Sequence, residues 1–165
     1  MKRYLIIAEK KSIRQYIQDV YDKNKGSLDF VADITFMANP VSHVSDKVIP
    51  VNPNGVWKKL VLKNTKVPEG FYVAVTQFLP IQIEEIATLI KANDYDFVIN
   101  ASDPDLYGQL SYEYTKENVG FSLPDKRMWY RDLTEKEILR SLLSLEDNNK
   151  ILADLLSKYD GTGLY

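Results

Sequence analysis

The sequence predicts an α/β fold in which a mainly parallel sheet of about four strands is flanked by helices. Two features of the chain support this prediction. Short, continuous apolar runs at residues 4–8 and 97–99 are typical of strands that are buried on both faces of a parallel sheet. These runs alternate along the chain with segments whose apolar residues recur at helical spacing. The 165 residues, of which 45% are apolar, are sufficient for one ordinary folded domain.

The first predicted strand covers residues 4–8, and Glu9 follows at its carboxyl end. A helix over residues 13–21 comes next, because apolar residues keep helical spacing there and Ser12 can cap its start. The helix should end in the polar, glycine-containing segment that follows. A second strand is expected over residues 28–34.

The middle of the chain combines irregular segments with one more strand and one more helix. Prolines and asparagines between residues 37 and 70 predict loops and short strands. Residues 71–75 form another apolar run, which predicts a buried strand, and residues 81–93 show helical spacing. The strand at 97–101 follows and ends at a turn that contains two acids. A helix over residues 107–118 is expected after this turn.

The C-terminal part predicts one more strand and one more helix. The strand should cover residues 127–133. Thr134 and Glu137 have the spacing of a capping box, so an amphipathic helix is expected to begin there. We place a domain over residues 1–145 and a helical tail over residues 146–165.

Composition and charge limit the functions that the chain can have. The formal net charge of −2 gives no global attraction for nucleic acid, so DNA contacts would need local basic clusters. The chain has no cysteine, which excludes disulfides and thiolate zinc sites. No apolar run is long enough for a signal peptide or a membrane span, so we expect a cytoplasmic protein. Three basic clusters are present: Lys10, Lys11 and Arg14; Lys58, Lys59, Lys63 and Lys66; Lys126, Arg127 and Arg131.

Three acids follow the carboxyl ends of two predicted strands: Glu9, Asp103 and Asp105. Ligands of open α/β sheets bind at this edge, so the three carboxylates could meet there. Mg²⁺ prefers oxygen ligands and often takes only one or two protein carboxylates. The same segment also fits a structural turn in which Asp103 caps the next helix and Asp105 lies in its first turn. Because such turns are far commoner than metal sites, the local sequence alone favours the structural turn.

Five segments of the chain are informative together: "YLIIAEKKS", "ITFMANPVSHV", "WKKLVLKNTKVPEGF", "VINASDPDLYGQL" and "RMWYRDLTEKEI". In order and spacing they resemble the Toprim domain of type IA DNA topoisomerases, in particular of topoisomerase III. The similarity covers residues 3–143. It implies a Toprim, Rossmann-like fold over residues 1–145, and a tail that could begin a following topoisomerase domain.

The resemblance implies a role for each matching residue. Glu9 matches the family's glutamate that acts in proton transfer at the scissile phosphodiester, and Lys10 matches a lysine that faces phosphate. Asp103 and Asp105 match the acid pair that holds Mg²⁺. His43 matches the histidine of a glycine-histidine pair whose glycine is lost here. Together with the first basic cluster, the expected DNA contacts are Lys10, Lys11, Arg14 and His43.

The chain departs from the family directly after the acid pair. The family has Arg-Glu-Gly-Glu there, whereas this chain has Leu106, Tyr107, Gly108 and Gln109. Leucine cannot replace the bidentate phosphate contact of an arginine, and the loss of two acids should weaken metal binding. Glu113 could supply a replacement carboxylate, but we expect it to be a solvated helix residue.

The resemblance implies the function of an N-terminal Toprim domain in a topoisomerase III-like protein. Such a domain binds Mg²⁺ and assists cleavage and religation of single-stranded DNA by a tyrosine on a later domain. None of the eleven tyrosines here can be nominated for that role, so we do not expect activity from this chain alone. The alternative is a degenerate Toprim domain that binds DNA or a partner without chemistry. A Toprim domain of the primase or nuclease kind fits the five segments less well.

Overall fold

The structure is a computed structural model that describes residues 2–28, 32–45, 58–60 and 73–158. Within these ranges, no helix is both long and apolar enough to cross a membrane. The strands and α-helices are, in chain order, β1 Lys2–Ala8, α1 Lys11–Asn24, β2 Ala32–Ala38, β3 Val41–Ser45, β4 Lys58–Leu60, β5 Val73–Phe78, α2 Pro80–Ala92, β6 Phe97–Ala101, α3 Leu106–Val119, β7 Asp125–Arg127, α4 Glu135–Leu143, β8 Glu146–Asp147 and α5 Asn148–Ser157.

The main sheet has five strands in the order β2-β1-β6-β7-β8. The first four strands of this order run parallel to one another, and β8 pairs antiparallel with β7. The predicted α/β fold with a mainly parallel sheet is therefore confirmed. Its architecture is consistent with a Rossmann-like Toprim fold.

Strand β1 lies in the middle of the core and buries both of its faces. Its alternate side chains point to opposite sides of the sheet, as the pleat of a strand requires. Ile6 packs on the side of α1 and α4, in a cluster that includes Ile17 and Ile138. Leu5 packs on the side of α2 and α3, in a cluster that includes Ile86 and Tyr112. The continuous apolar run at residues 4–8 is thus explained by two core layers.

A second, antiparallel sheet has the strand order β3-β5-β4. The apolar run at residues 71–75 predicts another strand like those of the main sheet, whereas β5 covers Val73–Phe78 and pairs with β3 and β4. An apolar run identifies a strand but does not determine its partners, which are distant in sequence. The short strands expected between residues 37 and 70 include β3 and β4.

Two expectations near the N-terminus need correction. Strand β2 covers Ala32–Ala38 and so continues beyond the predicted end at residue 34, because it pairs in register with the whole of β1. Residues 29–31 of the predicted strand lie outside the described part of the chain. Helix α1 begins at Lys11, so Ser12 lies inside the helix and does not cap it. The N-cap residue is Lys10, which makes no side-chain capping bond.

The predicted strand over residues 127–133 is also largely wrong, because β7 ends at Arg127. The backbone N–H of Met128 still donates to the Asn100 carbonyl at 2.9 Å, but residues 128–130 are not strand, and a bend follows at residues 131–133. The predicted start of the following helix is confirmed. The Thr134 side chain accepts a 3.3 Å hydrogen bond from the backbone N–H of Glu137 at the start of α4.

The elements after residue 145 are joined to the main sheet. Strand β8 pairs with β7, and helix α5 lies against α3 and β7. Asp147 caps α5 by accepting a 2.9 Å hydrogen bond from the backbone N–H of Lys150. The domain boundary at residue 145 stays a prediction.

Candidate functional site

The three acids named in the sequence lie together because β1 and β6 are parallel neighbours. Ala8 and Ala101 are paired at the carboxyl ends of these strands. Glu9 therefore leaves the sheet beside residues 102–105, which we call the acidic turn. The Oε2 atom of Glu9 accepts a 3.1 Å hydrogen bond from the backbone N–H of Asp103.

Asp105, rather than Asp103, caps helix α3. Its Oδ1 atom accepts a 2.7 Å hydrogen bond from the backbone N–H of Gly108. Its own N–H donates to the Asp103 carbonyl at 2.8 Å, which closes the acidic turn. The expected cap is therefore displaced by two residues. The two alternatives that the sequence offers for this segment, a capped structural turn and a pair of carboxylates at the edge of the sheet, are therefore both present.

Gly108 lies in the first turn of α3, directly against the backbone of Asp103. A Cβ atom at this position would lie 2.2 Å from the Asp103 carbonyl oxygen and 2.8 Å from its nitrogen. The helix can approach the acidic turn this closely only because the residue is glycine. The sequence places Gly108 after the acid pair, but the contact itself is a consequence of the fold.

Arg127 is fully buried beneath the acidic turn, so its assignment to a surface cluster of basic residues is wrong. Its Nη1 atom donates to the carbonyl of Ser102 at 2.7 Å, and Nη2 donates to the carbonyl of Asp103 at 2.7 Å. Burial lowers the pKa of Arg127 to about 10, so the side chain is still protonated at neutral pH. The adjacent apolar Met128 was the one local signal of burial, and it is not specific.

Glu113 is buried on α3 and is not the solvated residue that we expect from the sequence. Its Oε1 atom accepts hydrogen bonds from Gln109 Nε2 at 3.1 Å and from Asn148 Nδ2 at 2.9 Å. Burial raises the pKa of Glu113, and the hydrogen bond from Asn148 opposes this effect. Because its carboxylate is held in this interior network, Glu113 does not supply a replacement carboxylate to the acidic turn.

A cleft of about 790 Å³ opens beside the acidic turn. Two of the expected DNA contacts, Lys10 and Lys11, are exposed and line this cleft. Arg14 is not among its lining residues. His43 lies on β3, and its side chain is outside the described part of the chain. The other residues that line the cleft are Glu9, Ser12, Ala38, Asn39, Pro40, Leu79, Gln82, Asp103, Asp105, Tyr107 and Gly108.

Two carboxylates of this cleft, those of Glu9 and Asp103, have raised pKa values because they are partly buried and lie near other negative charges. Burial, followed by the negative charges of Asp103 and Asp105, raises the pKa of Glu9 to about 7. The hydrogen bond from the Asp103 N–H and the charge of Arg127 oppose this rise. Burial and the charge of Asp105 also raise the pKa of Asp103, against the opposing charges of Lys10 and Arg127. A cation in the cleft would relieve this repulsion.

The raised pKa of Glu9 predicts that its ionisation destabilises the fold. Its stabilising contribution is complete below the ordinary pKa of 4.5 and is lost as the pH rises through about 7. The free energy of unfolding should therefore fall by up to ~3 kcal/mol between these limits, since each unit of pKa shift corresponds to about 1.4 kcal/mol. The variant Glu9→Gln keeps an acceptor oxygen for Asp103 and should remove this fall.

Urea denaturation of the wild type and of Glu9→Gln at half-unit steps of pH measures this contribution directly. Glu84→Gln is the matched control, because Glu84 is an exposed glutamate on α2. The control should follow the wild-type profile. Parallel profiles for the wild type and Glu9→Gln would contradict the assignment of a raised pKa to Glu9.

The residues of the acidic turn fit a Mg²⁺ ion that keeps several non-protein ligands. Within the described residues, no group of three or more histidine, cysteine, aspartate or glutamate side chains is arranged to hold a metal. Mg²⁺ does not need such a group, because it commonly binds one or two carboxylates and completes its coordination with water and phosphate. Asp103 and Asp105 both line the cleft and could supply oxygen ligands. Burial, followed by the negative charge of Asp105, raises the pKa of Asp103, and a bound cation would oppose both effects.

Two curated relatives resemble the chain along most of its length. It is 24% identical over 150 residues to "Putative DNA topoisomerase 3" of Staphylococcus aureus (strain bovine RF122 / ET3-1). The matched residues cover 90% of this chain and 21% of that protein. It is also 23% identical over 147 residues to "DNA topoisomerase 3" of Staphylococcus epidermidis (strain ATCC 12228 / FDA PCI 1200). These residues cover 88% of this chain and 21% of that protein.

No protein-family model matches the chain. The full-length topoisomerase I from Thermotoga maritima superimposes with a TM-score of 0.49 and 14% identity, over 87% of this chain and 21% of that one. The chain thus spans about one fifth of the length of the curated relatives that it matches. Across about nine tenths of its own length, it is similar in sequence to proteins named DNA topoisomerase 3.

Proposed function

We propose that the chain is a Toprim-type domain of a topoisomerase III-like protein and that it acts on single-stranded DNA. In this proposal Asp103 and Asp105 hold Mg²⁺. The observation that carries the proposal is the meeting of Glu9 and the acidic turn in one cleft with Lys10 and Lys11. Similarity to proteins named DNA topoisomerase 3 supports the choice of DNA as the partner.

The basic and the acidic residues of the cleft would have different roles. Lys10 and Lys11 would attract and orient a DNA phosphate, because ammonium groups bind phosphate oxygens. Glu9, with its pKa raised to about 7, can hold or release a proton near neutral pH, which suits proton transfer at a phosphodiester oxygen. Bound Mg²⁺ would supply charge stabilisation to the transferred phosphoryl group. The attacking tyrosine would belong to another part of the complete protein.

Calorimetric titration of Mg²⁺ and Mn²⁺ into this chain tests the metal site. The test variant is the double substitution Asp103→Asn and Asp105→Asn. Asparagine caps helices as well as aspartate does, so this change removes the charges while the cap of α3 is kept. Asp154→Asn is the control, because Asp154 is exposed on α5. Saturable binding in the wild type and the control, but not in the double variant, is expected.

A second candidate function is DNA binding without chemistry. It is favoured by Leu106 and Tyr107, which follow the acid pair where the family that the chain resembles has an arginine and a glutamate. This candidate predicts that Glu9→Gln and Asp103→Asn bind a short single-stranded oligonucleotide as tightly as the wild type, with or without Mg²⁺. A loss of Mg²⁺-dependent binding in these variants would exclude it and support the catalytic role. Fluorescence anisotropy with a labelled oligonucleotide measures the affinities.

A further inference from the structure

Asn148, the first residue of α5, is fully buried between α3 and the main sheet. Its Oδ1 atom accepts two hydrogen bonds, from Asn100 Nδ2 at 3.0 Å and from Gln109 Nε2 at 2.9 Å. Its Nδ2 atom donates to Glu113 Oε1 at 2.9 Å and to Asp125 Oδ2 at 3.2 Å. Both polar atoms of this buried amide are therefore used, which fixes the orientation of the side chain.

One branch of this network leads through Asn100 to the start of the acidic turn. The Nδ2 atom of Asn100 donates to Asn148, and its Oδ1 atom accepts a 3.0 Å hydrogen bond from the backbone N–H of Ser102. The nitrogen of the Asn100 side-chain amide is thus bonded to Asn148, and its oxygen is bonded to Ser102. A change at Asn148 frees one end of this amide and allows the end that holds Ser102 to rotate.

A second branch reaches the same backbone through Gln109 and Arg127. The Nε2 atom of Gln109 donates to Asn148, and its Oε1 atom accepts a 3.0 Å hydrogen bond from Arg127 Nε. Arg127 then donates to the carbonyls of Ser102 and Asp103, each at 2.7 Å. Both branches that begin at Asn148 therefore end on the backbone of the acidic turn.

We propose that Asn148 is a positioning residue that sets the geometry of the acidic turn from the N-terminus of α5. This inference rests on the proposed function in one respect, namely that the acidic turn is the Mg²⁺ site. The docking of α5 would then fix the two carboxylates in the arrangement that the ion needs. Groups that orient metal ligands from behind commonly change metal affinity by about 10- to 100-fold when they are removed.

The test compares Asn148→Ala with two controls in the full 165-residue chain. Leu152→Ala removes a buried apolar side chain of α5 that lies outside the network, so it reports a loss of stability alone. Asn149→Ala changes an exposed neighbour on the same helix. Stability is measured by urea denaturation, the acidic turn by the backbone amide resonances of Ser102 and Asp103, and Mg²⁺ affinity by calorimetry.

Asn148→Ala is expected to shift the Ser102 and Asp103 resonances and to weaken Mg²⁺ binding by about tenfold. Leu152→Ala should lower stability while leaving both the resonances and the affinity at wild-type values. Equal behaviour of the two variants at the acidic turn would overturn the proposal, because Asn148 would then act only through stability.

A second measurement needs no variant and applies even if Asn148→Ala does not fold. Coupling between two sites is reciprocal, so Mg²⁺ added to the wild type should shift the side-chain amide resonances of Asn148 and Asn100 more than those of Asn149. Saturable Mg²⁺ binding without these shifts would contradict the role of Asn148. Absence of Mg²⁺ binding in the wild type would contradict the proposed function instead, and the Ser102 and Asp103 resonances of the variants would still test the positioning role.

Discussion

Replacing Gly108 by alanine is expected to destabilise the protein by at least ~3 kcal/mol, at the upper end of the usual cost of overpacking a core. The new Cβ atom would lie 2.2 Å from the Asp103 carbonyl oxygen, 2.8 Å from its nitrogen and 2.9 Å from its carbonyl carbon. All three are backbone atoms, so no side-chain rotation can relieve the overlap. Either α3 or the acidic turn must move, and both movements break the 2.7 Å bond that caps the helix.

Gly26→Ala is the matched control for this substitution. Gly26 is exposed in a short 3-10 helix, and a Cβ atom there would meet no atom within 4 Å. Its replacement should change stability by less than ~1 kcal/mol, through the entropy of the unfolded chain. Urea denaturation of the two variants checks the prediction. Equal midpoints for Gly108→Ala and the wild type would show that α3 does not lie this close to Asp103.

The substitution Arg127→Met is expected to lower the free energy of unfolding by about 3 to 5 kcal/mol, because it leaves several buried acceptors without a donor. The guanidinium makes five hydrogen bonds: four to the carbonyls of Asn100, Ser102, Asp103 and Met128, and one to the side chain of Gln109. Methionine fills a similar length of space but donates none of them.

The acidic turn should respond to the same substitution. The charge of Arg127 lowers the pKa of both Glu9 and Asp103, so its loss should raise both pKa values further. Titration of the carboxyl carbons by NMR measures this change in any variant that remains folded. Arg127→Lys keeps the positive charge but lacks the planar set of guanidinium donors. The pKa values of Glu9 and Asp103 should therefore be closer to those of the wild type than the free energy of unfolding is.

Arg131→Met is the control for the charge change, because Arg131 is exposed. It should alter stability by no more than ~0.5 kcal/mol, as surface substitutions usually do. If Arg127→Met and Arg131→Met were equally stable, the buried hydrogen bonds of Arg127 would make no net contribution to the fold.

The sequence by itself determined the features that depend on neighbouring residues. The apolar runs at 4–8 and 97–99 identified β1 and β6, and the spacing of Thr134 and Glu137 identified the start of α4. The meeting of Glu9 with the acidic turn was also predictable, because parallel strands bring their carboxyl ends to one edge of the sheet. Local periodicity and strand direction are sufficient for such predictions.

The tertiary structure alone decided which polar residues support the acidic turn. Arg127 and Glu113 look like surface residues in the sequence, yet both are buried and hydrogen-bonded. Asn148 contacts Asn100 and Gln109, which lie 48 and 39 residues away along the chain. No local pattern marks such residues, because their burial results from the packing of β7, α3 and α5 against one another. A polar side chain is stable in the interior only when distant partners satisfy its hydrogen bonds, and the fold supplies those partners.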